Sequence, residues 1–202
     1  YKVTEEVLQG MKKDPKNKLY QIVLYLSPGD YHRYHSPCDY HIKSRNHIVG
    51  KLLPVKEKYV KTHTDVYEKN ERVSIFGEWP EGFMSMVFVG AMNVGSIVLN
   101  FDPELQTNLK LRMPFTNYQI KFYGEEDKKY TEEQDKAKLA QEAAYNVLKD
   151  DRKGIEVAKG SEMGRFKMGS TIVLVFEAGP NFEWKVQPGD SLLYGQVIGI
   201  SK

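Results

Sequence analysis

The run Thr171-Ile172-Val173-Leu174-Val175-Phe176 constrains this chain more than any other feature. It is short, apolar and rich in β-branched residues, and it is entered through Gly169-Ser170, the pattern of a strand that opens from a turn. Shorter runs of the same kind recur, each bounded by Gly, Pro, Asn or Asp. Gln21 to Leu26 ends at Ser27-Pro28-Gly29-Asp30, and Arg72 to Trp79 ends at Pro80-Glu81-Gly82. Phe83 to Val89 and Val94 to Phe101 are joined through Gly90-Ala91-Met92-Asn93. Phe182 to Val186 and Gln196 to Ile200 flank Pro188-Gly189-Asp190. Together these runs predict a mainly β (α+β) domain, compact and barrel-like, built from short hairpins. Val157-Ala158-Lys159-Gly160 and Val186-Gln187-Pro188-Gly189 echo one another, each followed by a second glycine (Gly164 and Gly195), as short hairpins require.

Two segments break the pattern. Thr4 to Lys13 carries Val7, Leu8 and Met11 at near-helical spacing and predicts a short N-terminal helix. Lys121 to Lys153 is dense in charge of both signs and shows no strand pattern. Within it, Thr131-Glu132-Glu133-Gln134 has the form of a capping box, and Ala137, Ala140, Ala144 and Val147 follow at helical spacing. The segment predicts an inserted charged helix without chemistry of its own.

Composition narrows the class of function. At 202 residues, 41% hydrophobic and 28% charged, the chain suits one soluble globular domain spanning residues 1–202. A net charge of +2 is too mild to argue for nucleic acid. Cys38 is the sole cysteine, which excludes an intrachain disulfide and a thiolate metal cluster. No apolar run approaches the ~20 residues of a membrane-spanning helix. The opening Tyr1-Lys2-Val3-Thr4, without an initiator methionine, suggests a fragment, so the lack of a signal or transit peptide here is not evidence about the full protein.

Chemistry concentrates at two places. The stretch Tyr25-Leu26-Ser27-Pro28-Gly29-Asp30-Tyr31-His32-Arg33-Tyr34-His35-Ser36-Pro37 sets two histidines three apart just after a strand. Histidine moves protons near neutral pH, and in an extended chain positions i and i+3 face opposite sides, so the rings can serve different partners. No third ligand accompanies them, so a metal site is not expected. His41, His47 and His63 lie in polar, loop-like sequence, the setting of surface histidines. The second place is Gly164-Arg165-Phe166-Lys167-Met168-Gly169-Ser170-Thr171. It lacks the lysine and helix of a phosphate loop and the Gly-x-Ser-x-Gly of a nucleophile elbow, and alone it reads as a turn before a strand.

Taken in order, the double-histidine segment, Val89-Gly90-Ala91-Met92-Asn93-Val94-Gly95-Ser96-Ile97 and Phe166-Lys167-Met168-Gly169-Ser170-Thr171 resemble phosphatidylserine decarboxylases. Asn70-Glu71-Arg72-Val73 adds support, and the likeness is to the mitochondrial, eukaryotic branch. The resemblance covers roughly Lys18 to Phe101 and Gly154 to Lys202 and leaves the charged insertion unexplained. It implies self-cleavage between Gly169 and Ser170, giving a β chain of residues 1–169 and an α chain of residues 170–202. Ser170 would become a covalent pyruvoyl group, with His35 as the base on its hydroxyl. His32 would donate a proton or orient the substrate, and Tyr25 would hydrogen-bond it. The mature enzyme would form a Schiff base with phosphatidylserine at the mitochondrial inner membrane and release phosphatidylethanolamine, with no metal. A homo-oligomer is left open.

The family's histidine-orienting aspartate, in an upstream Asp-Gly motif, has no counterpart here. The sole aspartate before Asp30 is Asp14, in a lysine-rich loop. Either the segment that carries it was removed, or it belongs to a separate piece. Two other readings are weighed: a biotinyl- or lipoyl-like carrier modified at Lys167, and a pyruvoyl decarboxylase of a small amino acid.

Overall fold

The apolar run at Thr171 becomes a strand paired on both edges. In the computed structural model, which describes residues 12–92, 96–109, 118–123, 153–167 and 169–201, β10 (Thr171–Ala178) lies between β1 (Lys18–Tyr25) and β5 (Gly82–Val89), antiparallel to both. Ile172, Leu174, Phe176 and Ala178 alternate into the core. The sheet continues through β4 (Arg72–Trp79) and β3 (Tyr40–Ile48). Two strands share the far edge of β3: β7 (Tyr118–Phe122) along one half and β8 (Ile155–Val157) along the other. This seven-stranded sheet is open among the described residues, so the expected barrel is not closed. All of its pairings are antiparallel.

A second sheet, ordered β2 (Arg33–His35), β9 (Glu162–Phe166) and β6 (Ile97–Leu99), packs on the first. Its seam is aromatic: Tyr34 stacks on Phe88 at 4.0 Å between ring centroids and meets Phe166 edge-on at 5.3 Å. Gly164 makes this contact feasible, because a Cβ there would lie 1.9 Å from the Val98 carbonyl and 2.8 Å from the Tyr34 ring. A hairpin of β11 (Glu183–Trp184) and β12 (Gly199–Ile200) closes the C-terminal part. Trp184 and Phe182 cover Tyr20 and Phe176. Two one-turn helices, α1 (Glu57–Val60) and α2 (Val66–Lys69), lie between β3 and β4.

The strands expected from apolar pattern appear, with shorter bounds near Val94, Phe182 and Gln196. The central strand β3 was not expected, because Tyr40-His41-Ile42-Lys43-Ser44-Arg45-Asn46-His47-Ile48 is polar. Its charges are buried in pairs: Lys43 Nζ to Glu78 at 3.0 Å, Arg45 Nε to Asp102 at 2.8 Å and His47 Nε2 to Glu71 at 2.8 Å. His47 is therefore a core histidine, not a surface one, and His41, near the other end of the same strand, is half-buried with Nε2 2.9 Å from the Lys153 carbonyl, whereas His63 stacks on Tyr59 at the surface. Lys121 and Phe122, placed within the charged insertion, belong to β7. The helices expected over Thr4 to Lys13 and after Thr131 fall on segments that, apart from Lys12 and Lys13, lie outside the described residues.

At the far end of β10, the buried Glu177 carboxylate gathers several segments. Oε2 accepts from the N–H of Lys13 (2.7 Å) and Phe83 (2.9 Å), and Oε1 from the Asp14 N–H (2.9 Å) and Asn17 Nδ2 (2.8 Å). Removing one buried acceptor orphans all of these donors at once. Glu177→Ala is expected to lower stability by about 3 kcal/mol or more, read as a reduced urea midpoint at unchanged m.

Asp102 answers for acid stability. Burial alone would push its carboxyl up, but hydrogen bonds and charge from Arg45, with Lys121 behind, outweigh burial and hold it below the ordinary carboxylate range. A depressed carboxyl stabilises the fold above the unfolded pKa of about 4 and loses that contribution as pH falls through the folded value. Unfolding followed between pH 6 and 2 should thus show an acid arm below about pH 4, and Asp102→Asn should flatten it while lowering stability at neutral pH.

Candidate active site

A closed turn brings the two sequence stretches together. The Asp30 N–H donates to the Ser27 carbonyl at 2.9 Å, and the Ser27 N–H donates to Asp30 Oδ2 at 2.6 Å. Asp30 thus serves the turn rather than a histidine. The chain returns as β2 against β9, with the Phe166 N–H on the His32 carbonyl at 2.9 Å and Tyr34 opposite Gly164. Tyr34 is buried, while Arg33 is exposed and His35 half-buried. The two rings meet different surroundings, as an extended segment dictates.

Ser170 is fully buried at the entrance to β10. Its carbonyl accepts from the Leu26 N–H at 2.7 Å, extending the β1–β10 ladder by one residue, and its hydroxyl donates to the Val89 carbonyl. Gly169 fills a gap that no other residue fits comfortably. A Cβ there would come within 2.9 Å of the Leu26 carbonyl, 3.0 Å of the Pro28 nitrogen and 3.1 Å of His32 Nε2. His32 Nε2 is buried against this glycine and has no hydrogen-bond partner among the described residues. Beside it opens a cleft of about 210 Å³, lined by Tyr25, Leu26, Pro28, Pro54, Val55, Lys56, Ala91, Met92 and Gly169.

His35 is held elsewhere. Its Nδ1 lies 2.7 Å from the Gly160 carbonyl, which can only accept, so Nδ1 carries the proton. In the neutral ring Nε2 then holds the lone pair, and the Tyr31 hydroxyl donates to it at 2.9 Å. Tyr194 meets the ring edge-on at 4.8 Å. Glu162, opposite His35 in the β2–β9 register, has its carboxyl held below the ordinary range by hydrogen bonds from Asn100 and Arg33, aided by the charges of Arg33 and His35. Asp14 cannot orient either histidine. It lies with Glu177, at the opposite end of β10 from Ser170, roughly 20 Å away at the usual rise per residue.

Sequence reasoning passed over the support behind Ser170. The Val89–Gly90 peptide receives the serine hydroxyl on its carbonyl and donates its N–H to the Glu71 carbonyl at 2.7 Å. Asn70, fully buried, donates Nδ2 to the Gly90 and Leu53 carbonyls, each at 2.8 Å, and accepts from the Leu53 N–H at 2.8 Å. The Asn70-Glu71 step therefore ties one rim of the cleft, Leu53 to Lys56, to the peptide that holds Ser170. The quoted motif was the available signal; its hydrogen bonds needed the fold. Lys167 is exposed just after β9, with its N–H on the Ser96 carbonyl at 3.0 Å.

The sequence profile of the family described as phosphatidylserine decarboxylase matches residues 1–200. The chain is 41% identical over 185 residues to phosphatidylserine decarboxylase proenzyme 2, mitochondrial, of Schizosaccharomyces pombe, covering 91% of this chain and 32% of that protein. It is 40% identical over 186 residues to the mitochondrial proenzyme 1 of Saccharomyces cerevisiae, covering 91% and 33%. Against the mitochondrial proenzyme of Rattus norvegicus it is 35% identical over 183 residues, covering 91% and 39%. The chain thus spans between 32% and 39% of the length of these relatives. Because the profile runs through the double-histidine turn, Asn70-Glu71 and the Gly169-Ser170 step alike, this chain belongs to the phosphatidylserine decarboxylase family.

Proposed function

We propose that this chain is the site-bearing part of a carboxy-lyase that converts phosphatidylserine to phosphatidylethanolamine after cutting itself between Gly169 and Ser170. The observation that carries the proposal is the packing of Gly169 against an unpartnered imidazole nitrogen, with Ser170 buried next to it. The relatives' names, mitochondrial proenzymes, support processing and a mitochondrial location for this chain, which we place at the inner membrane by family resemblance.

In self-cleavage the Ser170 hydroxyl leaves the Val89 carbonyl, gives up its proton and attacks the Gly169 carbonyl carbon. The Gly169–Ser170 C–N bond breaks and a C–O ester bond forms, with the freed amine taking a proton. Loss of the Cα proton of residue 170 then expels the Gly169 carboxylate, and water replaces the resulting imine nitrogen, which departs as ammonia. By family resemblance His35 takes the hydroxyl proton: with Nδ1–H on Gly160, Nε2 is its basic atom, and the ring must leave the Tyr31 hydroxyl to reach Ser170. The Gly160 carbonyl fixes the tautomer, the positional half of what the missing aspartate would do.

The surroundings fit a pyruvoyl group at position 170. The backbone carbonyl of that residue stays on Leu26, β10 stays paired with β1 and β5, and the cleft opens at Gly169, the residue that departs. Such a group supplies a carbonyl that takes the substrate amine and receives the electron pair left as CO₂ departs. His32, beside that position, orients the head group and returns a proton, and Tyr25 at the cleft wall hydrogen-bonds it. The α and β chains remain one body because β10 is hydrogen-bonded along both edges to strands of the β chain.

Intact mass under denaturing conditions tests the processing. Two fragments parting between Gly169 and Ser170, the smaller with a blocked keto terminus, are expected; Ser170→Ala should give one chain. A single chain bearing added mass on Lys167 would favour the carrier instead. Matured protein should decarboxylate phosphatidylserine and not free serine; the reverse would make it an amino-acid decarboxylase.

The histidines are separated by paired substitutions. His35→Asn is expected to slow division of the precursor by about a hundredfold or more. His32→Asn should still divide but lose decarboxylation by a similar factor. The contact of His32 with Gly169 favours a second reading in which His32 is the processing base. In that case the two variants exchange behaviours.

A further inference from the structure

We propose that Lys56 binds the phosphodiester of the substrate, an inference that rests on the phosphatidylserine reading and assigns it a specificity residue. Among the described residues that line the cleft beside Gly169, Lys56 is the only one with a charged side chain. It is exposed, and its ammonium has no carboxylate partner among the described residues. Every other described lining residue is apolar, aromatic or a glycine, so a ligand anion entering there meets one cation in a weakly polar wall.

That cation is mounted on a braced support. Leu53 is held through both its N–H and its carbonyl by Asn70, Val55 is buried, and Asn70 also grips Gly90 on the opposite wall. The spacing between the Lys56 rim and the Ser170 position is thereby set by one buried side chain. A lysine there acts as a compact point charge on a flexible stem, able to follow an anion without demanding a bidentate geometry.

The substrate offers two anions, and reaction energetics decides between them. The carboxylate leaves as neutral CO₂, so a cation paired to it would stabilise the ground state more than the transition state and slow the reaction. The phosphodiester keeps its charge throughout. Pairing Lys56 with the phosphodiester adds equal stabilisation to ground and transition states, which lowers KM and leaves kcat nearly unchanged.

The test uses full-length protein carrying Lys56→Ala, Lys56→Glu or Lys56→Arg. Substrate is a short-chain phosphatidylserine below its micellar concentration, then the same head group in vesicles of neutral lipid. With monomeric substrate, Lys56→Ala should raise KM by about tenfold at nearly constant kcat. Lys56→Glu should raise KM further and Lys56→Arg should restore it, while Lys56→Ala and Lys56→Arg divide at Gly169–Ser170 at the wild-type rate. An unchanged KM with the monomer, or an effect confined to vesicles, overturns the assignment and indicates attraction to a lipid surface instead. A fall in kcat without a rise in KM overturns it too. Wild-type protein that divides but ignores phosphatidylserine would sink the functional reading itself, an outcome distinct from a silent Lys56 substitution in an active enzyme.

Discussion

Everything near Ser170 depends on the double pairing of β10. A strand hydrogen-bonded on both edges cannot shift its register without breaking two ladders, so its first residues are placed as firmly as its centre. The Leu26 N–H extends one ladder onto the Ser170 carbonyl, and the end of β5 supplies the Val89 carbonyl to its hydroxyl. A serine at a flexible mouth would sample many rotamers; this one is fully buried and has both its oxygens engaged. In the proposed self-cleavage, attack on its own preceding carbonyl would require release of the hydroxyl from Val89. Positioning of this kind is worth most when the reacting atoms are neighbours in the chain and entropy is the chief obstacle.

The same strand is anchored at its other end by Glu177, whose carboxylate collects donors from the 12–17 segment and the β4–β5 hairpin. The proposed cleavage on the N-terminal side of Ser170 would remove a covalent link at one end of β10 only. The contacts of Glu177, the two ladders and the aromatic cover of Phe182 and Trp184 all join the 170–202 piece to the remainder. On the proposed function the halves need contacts distant from the cut, and the donors gathered by Glu177 supply them.

How far the fold was legible depended on which side chains carried it. Strands declared by apolar alternation, β1, β4, β5 and β10, could be read directly. Strand β3 could not, because Lys43, Arg45 and His47 look solvated until Glu78, Asp102 and Glu71 arrive from distant positions to neutralise them. Pairing across tens of residues leaves no local periodicity. The reactive step was legible as a motif, but its environment was not. That His32 faces Gly169 while His35 faces Tyr31 and Tyr194 follows from the turn at Asp30 and the β2–β9 register, neither of which spacing alone discloses. Asn70 shows the same limit, since its three hydrogen bonds reach Leu53 and Gly90.

The placement of charge gives the site its character. Glu177 is spent on backbone donors, Asp102 on Arg45 and Lys121, and Glu71 on His47 and the Asn108 N–H, while the cleft wall carries no carboxylate. Attack of the Ser170 hydroxyl puts negative charge on the Gly169 carbonyl oxygen, and a fixed carboxylate in a weakly polar wall would raise the cost of that charge steeply. Decarboxylation likewise passes through an electron-rich state. An imidazole next to Gly169, with Lys56 set apart on a rim braced by Asn70, fits the two proposed reactions: the cutting of the chain, in which Lys56 takes no part, and then the turnover of substrate.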